Sequence, residues 1–192
     1  MTTLTWNFRI AALFLATIPA VAQAQASDPA ARIGAYDDAV IAVMKAKLAT
    51  AARADRFEPL VKSYYDMPTI AGLVAGPAWA KASAADKASA VAALTRHSAV
   101  SLARNFKSYD GTPFTVDPKV IERGPDRVVK VTIGGDTLFY RMRETGGSYR
   151  IVDVISGGVS NLALQRADLA TTIQTGGLPA MVKKLAQLDA VK

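Results

Sequence analysis

Apolar residues recur at helical spacing through the first half of the chain. Ile33, Tyr36, Val40, Met44 and Leu48 are separated by three or four positions, and Asp28-Pro29 ahead of them supplies an N-cap and a first-turn proline. That stripe predicts a helix running to about Ala52. Asp55 can cap a second, short helix through Tyr65, and Pro68–Ala75 can form a third that Gly76-Pro77 stops. Ser83-Ala84-Ala85-Asp86 is a variant of the capping box. Behind it Val91, Leu94, Ser98, Leu102, Phe106 and Tyr109 make the longest stripe, ended by Asp110-Gly111.

The period then changes to alternation. Phe114–Glu122, Arg127–Ile133, Thr137–Arg143 and Tyr149–Ile155 are parted by Gly124-Pro125-Asp126, Gly134-Gly135-Asp136 and Thr145-Gly146-Gly147, which are hairpin signals. Val129, Val131 and Ile133 share one face, as do Leu138, Tyr140 and Met142, while Lys130, Thr132, Arg141 and Arg143 point away. The last strand does not declare its inner face, because Ile151 alternates with Asp153 on one side and Val152 and Val154 with Arg150 on the other. Ser160 can cap a fifth helix through Gln174, Gly176 stops it, and Leu178–Ala190 forms a sixth. The 36 alanines mark the same plan: abundant from Ala11 to Ala103, absent from Arg104 through Leu162, and back from Ala163 to Ala190. The expected class is α+β, with a helical N-terminal half and C-terminal helices around a four-stranded antiparallel sheet.

Ahead of the first helix lies the apolar run Ile10–Val21, preceded by Arg9. Twelve helical residues span about 18 Å, short of the roughly 30 Å hydrocarbon core of a bilayer, and Pro19 interrupts them. The run therefore reads as a secretory signal. Ala22-Gln23-Ala24-Gln25-Ala26 offers small-x-small cleavage sites after Ala24 and Ala26; Ala26 is chosen, making 1–26 a signal peptide and 27–192 one exported, soluble domain.

Composition removes several chemistries. With 51% hydrophobic and 20% charged residues the chain is neither disordered nor collagenous, and the absence of cysteine excludes disulfides, thiolate zinc sites, Fe–S clusters, cysteine nucleophiles and a lipoprotein anchor. A net charge of +7 suits nucleic acid, anionic lipid or an acidic partner, but the cations are dispersed without interleaved aromatics, so nucleic acid is set aside. His97 is the single histidine and reads as a surface residue, so no histidine pair can hold a metal; no G-x-S-x-G elbow is present either. Asp37 and Asp38 are adjacent, diverge around a helix and read as a solvated face. Gly157-Gly158-Val159-Ser160, between strand and helix, reads as a tight turn with a cap rather than a phosphate cradle, and Gly72…Gly76 as close helix packing. No cofactor is called for.

Read in order, several segments resemble the MlaC-type periplasmic phospholipid-binding family, also described as toluene-tolerance or ABC transporter auxiliary proteins. They are Phe57…Tyr64-Tyr65-Asp66-Met67, Gly76…Trp79, Phe106…Tyr109-Asp110-Gly111, and Tyr149–Val154 running into Gly158-Val159-Ser160. Ser160–Arg166 followed by Thr175-Gly176-Gly177 is similar to the hopanoid-associated HpnM branch, although Tyr149 stands where tryptophan is commoner and Leu169 where an aromatic is common.

The resemblance implies a nuclear-transport-factor-like (cystatin-like) domain whose curved sheet and helices enclose a lipid-tail cavity. From the helices, Tyr64, Leu73, Trp79, Val91, Leu94, Leu102 and Phe106 would line it; from the sheet and the following turn, Val129, Val131, Tyr140, Met142 and Val159. It further implies a monomeric carrier that moves phospholipid, or a hopanoid-like lipid, between inner- and outer-membrane complexes without making or breaking a bond. Two other readings compete. The fold class also hosts isomerases and dehydratases in which an acid in an apolar cavity is the base, a place Asp153 near Tyr140 can fill. An envelope interaction module with a solid core would need neither cavity nor acid.

Overall fold

Asp28 accepts hydrogen bonds from the amides of Ala30 and Ala31, and from this cap the first helix, α1 (Pro29–Lys45), begins. The structure is a computed structural model describing residues 28–190, so the expected signal peptide and its cleavage point lie outside the described residues. Five more helices follow: α2 (Thr50–Tyr64), α3 (Met67–Ala75), α4 (Pro77–Lys81), α5 (Ala84–Asn105) and α6 (Asn161–Ala190). The sheet consists of β1 (Phe114–Val116), β2 (Ile121–Arg123), β3 (Asp126–Ile133), β4 (Asp136–Thr145), β5 (Ser148–Ser156) and β6 (Val159–Ser160). None of the described helices is long and apolar enough to cross a membrane.

The first helix stops at Lys45 rather than Ala52, with Lys47 at a φ of 50° in the turn, and α2 starts at Thr50 instead of at an Asp55 cap. Arg53 accounts for much of that corner. Its side chain is buried and donates to the carbonyls of Leu48 (2.7 Å), Ala103 (2.8 Å) and Lys107 (3.0 Å), tying the α1–α2 turn to the last turn of α5. Two of those carbonyls flank the end of α5, which closes at Asn105, short of the Tyr109 that the stripe predicted. The Ser83 hydroxyl accepts from the Asp86 amide as the capping box requires.

The sheet is antiparallel in the order β1-β3-β4-β5-β6, with β2 also on β3. The expected first strand, Phe114–Glu122, is thus split, and with the two-residue β6 the four expected strands become six. Asp117 accepts from the Lys119 amide in an Asx turn and Pro118 has no donor for the ladder, so pairing lapses between Val116 and Ile121. The undecided face of β5 is settled by a bulge: Arg141 pairs with Asp153 but Met142 with Ile151, leaving Val152 as the extra residue. Ile151 and Val154 therefore lie on the face of Met142 and Tyr140, and Asp153 lies with Arg141 on the other.

On the inner face Val129, Val131, Tyr140, Met142 and Ile151 pack against Ile33, Tyr36 and Val40 of α1, Phe57 and Val61 of α2, and Leu94 of α5, all buried. The outer face carries a charged ladder in which Arg143 grips Asp126 (2.6 Å) and Arg141 lies 3.7 Å from both Asp126 and Asp153. The two predicted C-terminal helices join into α6, broken at Gly177, whose φ of 65° is non-helical, one residue after the expected stop. Gly176 permits the bend: a methyl there would come within 2.5 Å of the Ala180 Cβ.

Candidate functional site

The largest of three cavities among the described residues, about 790 Å³, opens where the end of α2, the start of α3, α4, the N-terminal half of α5 and the β4–β5 turn converge. Met67, Pro68, Trp79, Ala88, Val91 and Ala92 supply its apolar lining, and Lys62, Lys87 and Arg150 its cations. Asp66 positions the floor by capping α3 through the Thr69 amide (3.1 Å), and its other oxygen accepts from the hydroxyls of Thr69 and Thr145. The Trp79 indole lies against α3 at Gly72, where an added Cβ would make ordinary van der Waals contact with it, 3.4 Å from the indole nitrogen. The Lys87 ammonium sits 5.7 Å from that ring, within cation–π range. A second cavity of about 650 Å³ lies against the bend of α6, lined by Val74, Ile173, Leu178 and Arg166 among others. A third, about 290 Å³, includes Leu102, Val152 and Asp153.

Trp79 and Val91, expected from the sequence to contact lipid, line the largest cavity, and Leu102 the smallest. Leu94, Val129, Val131, Tyr140 and Met142 instead belong to the packed core, with Tyr64 and Phe106 partly buried against it, and these seven line none of the three cavities. Phe106 has its ring 6.4 Å from Phe57 and 6.1 Å from Phe114, while Arg32 lies 4.3 Å over the Tyr64 ring. Leu73 and Val159 are surface residues, 40% and 47% exposed, and line none of the three either.

Asp153, the acid expected as a base near Tyr140, faces away from that ring with Arg141 and borders the cavity of about 290 Å³ instead. Asp153 lies on the outer sheet face, accepts from the Ser160 hydroxyl (2.7 Å) and the Leu162 amide (3.0 Å), and so holds the start of α6. With Ser160 also accepting from the Ala163 amide, Gly157-Gly158 is a turn into a capped helix. His97 is not a free surface residue: its Nδ1 is 2.7 Å from the Asp189 carboxylate, fastening the end of α6 to α5. Among the described residues no cluster of histidine or acidic side chains can hold a metal ion.

Asp37 overturns the solvated-face reading. It is 3% exposed, and neither carboxylate oxygen has a hydrogen-bond partner among the described residues. Burial, with Asp38 beside it, pushes its carboxyl up to about 7. Nearby is a tyrosine group: the Tyr36 and Tyr65 hydroxyls are 3.0 Å apart, and the Tyr36 ring stands 5.9 Å from Tyr140. Burial raises Tyr65 to about 12, against the hydrogen bond from Tyr36, and lifts Tyr36 and Tyr140 well above the usual phenol range. The helical spacing held the signal, since Asp37 falls four residues after Ile33 and three before Val40, on the apolar stripe itself. No pattern in sequence marked the three cations at the cavity mouth, which come from α2, α5 and β5.

Comparison with known proteins adds two findings. The family model described as MlaC protein matches residues 35–187. Seven solved chains match the fold, among them the phospholipid-binding protein from Ralstonia solanacearum, solved in complex with a phospholipid. That chain is 19% identical, superposes with a TM-score of 0.66, and the alignment covers 85% of this chain and 97% of that one. No curated protein matches the sequence significantly.

Proposed function

This chain belongs to the MlaC protein family, and on that premise we propose that it is a non-catalytic periplasmic carrier that shelters the acyl chains of a phospholipid and passes it between membrane-bound complexes. The observation that carries the reading is the cavity of about 790 Å³, whose lining combines apolar side chains of α3, α4 and α5 with the cations Lys62, Lys87 and Arg150. That is the layout an amphiphile needs. Its volume lies within the roughly 300–1,000 Å³ of small-molecule sites. Each buried methylene contributes about 0.8 kcal/mol, so a single chain offsets much of the cost of leaving a bilayer. The Ralstonia solanacearum protein, similar in fold, holds a phospholipid, which supports the same ligand class here.

Catalysis has little to recommend it. Asp153 is engaged at the start of α6, and Asp37, buried without a hydrogen-bond partner among the described residues, lines none of the three cavities. The deciding experiment is mass spectrometry of lipid retained by the protein purified from the periplasm. A diacyl phospholipid at near one per protein is the expected result. A hopanoid or other polycyclic lipid would change the cargo and keep the carrier; retention of no lipid, together with failure to accept lipid from vesicles, would sink it.

A further inference from the structure

We propose that the mouth of the large cavity selects lipids whose phosphate headgroup carries net negative charge, and that Lys87 and Arg150 make the selection. The proposal rests on the carrier reading and specifies its cargo. Of the three cations at the mouth, Lys62 is already paired with Glu58 at 2.6 Å. Neither Lys87 nor Arg150 has a carboxylate partner among the described residues.

Both are nonetheless held in place. Lys87 lies over the Trp79 ring, and the Arg150 Nη1 donates to the carbonyls of Lys62 (3.3 Å) and Ser63 (3.4 Å). The lining contains one acid, Asp66, and its oxygens already accept from Thr69 and Thr145. Asp86, beside Lys87 in sequence, lines the other cavity and accepts from the Ser83 hydroxyl at 2.7 Å. The mouth therefore presents two uncompensated positive charges, both half-buried, above an apolar wall.

A phosphodiester ending in hydroxyl groups brings only its negative charge into this field. One ending in an ammonium brings a cation with it, which the same two side chains repel. Free phosphate shares the charge chemistry but has no tail for Val91 and Met67 to cover.

Titration calorimetry on the purified protein at low salt separates these cases, using lauroyl lysophosphatidylglycerol and lauroyl lysophosphatidylcholine below their micellar concentrations, and inorganic phosphate. The glycerol lipid is expected to bind about tenfold more tightly than the choline lipid, the scale of two partly screened ion pairs. Lys87→Gln with Arg150→Gln should bring the two within twofold, by weakening the glycerol lipid more than the choline lipid. Because Arg150 also bonds α2, Lys87→Gln alone is the control; it should remove about half of the preference on a logarithmic scale. Equal affinities in the unaltered protein would overturn headgroup selection and leave the carrier standing. Binding of neither lipid would overturn both. Phosphate binding as tightly as the glycerol lipid would make the mouth a phosphate site and overturn the proposal.

Discussion

The space between the sheet and α1 and the space beside α5 are both walled by apolar side chains, yet the first is packed and the second open. In the first, Val129, Val131, Tyr140 and Met142 share one buried cluster with Ile33, Tyr36 and Val40, and the misfit is electrostatic, a carboxyl with no hydrogen-bond partner among the described residues. In the second, Trp79, Val91 and Met67 border about 790 Å³ of room, and Lys87 and Arg150 share the lining with them. The contrast separates two demands on a carrier. Stability without cargo comes from the filled interior, where each fully buried Leu or Ile side chain contributes about 1.5–3 kcal/mol. Affinity for cargo comes from the open side, where apolar wall is left uncovered.

The largest effect expected from breaking this contrast lies at Asp37. Its carboxyl titrates near 7 in the folded protein but near 3.9 in an unfolded chain. The unfolded state thus releases its proton first, and stability is lost as pH rises from about 4 through 7, by up to about 4 kcal/mol from this group. Asp37→Asn should abolish that decline, which urea unfolding of both proteins at pH 5 and pH 8 measures; parallel pH profiles would place the carboxyl in water. Next comes Val131→Trp. Val131 is fully buried, so the indole overpacks the interior: without lipid the unfolding free energy should fall by about 1–3 kcal/mol and the midpoint with it. An unchanged midpoint would mean that the interior holds a cavity after all.

Val91→Trp puts the same bulk on the open side. A stability change under about 1 kcal/mol is expected there, with lipid retention lost. The smallest effect belongs to Leu73→Ser. At 40% exposure, the change should stay within about 0.5 kcal/mol of the original in thermal melts and leave retention intact. Loss of retention would return Leu73 to the lipid site.

Elements governed by short-range rules were legible in the chain. The caps at Asp28 and Ser83, the hairpin turns before β3, β4 and β5, and the alternation along β3 and β4 all follow from neighbours within a few residues. What escaped depends on partners far along the chain. Arg53 ends one helix and turns another through carbonyls that lie about fifty residues away at α5. Helix α4 is too short for periodicity to register. The inner face of β5 could not be read from alternation because the bulge at Val152 interrupts it. At the candidate site, Trp79 was legible because it sits in a segment of family resemblance, and Val91 because it lies on the apolar stripe of the long helix. Lys87 and Arg150 were missed because their convergence is a product of the fold, and Asp37 because two adjacent acids were taken together when the helix sends them to different environments.

The extra residue in β5 has one more consequence. Without Val152, the sequence Ile151-Asp153-Val154 alternates regularly, and every neighbour keeps the face it has now. Replacing side chains one at a time would therefore never reveal what the bulge does, since the inward and outward pattern does not depend on it. Shortening the chain by that one position would. The strand would then run straight where it now bends, and the sheet would lose curvature with no polar group exchanged for an apolar one. Shape at this point is written in the number of residues rather than in their kind, and a deletion scan, not a substitution scan, is the instrument that reads it.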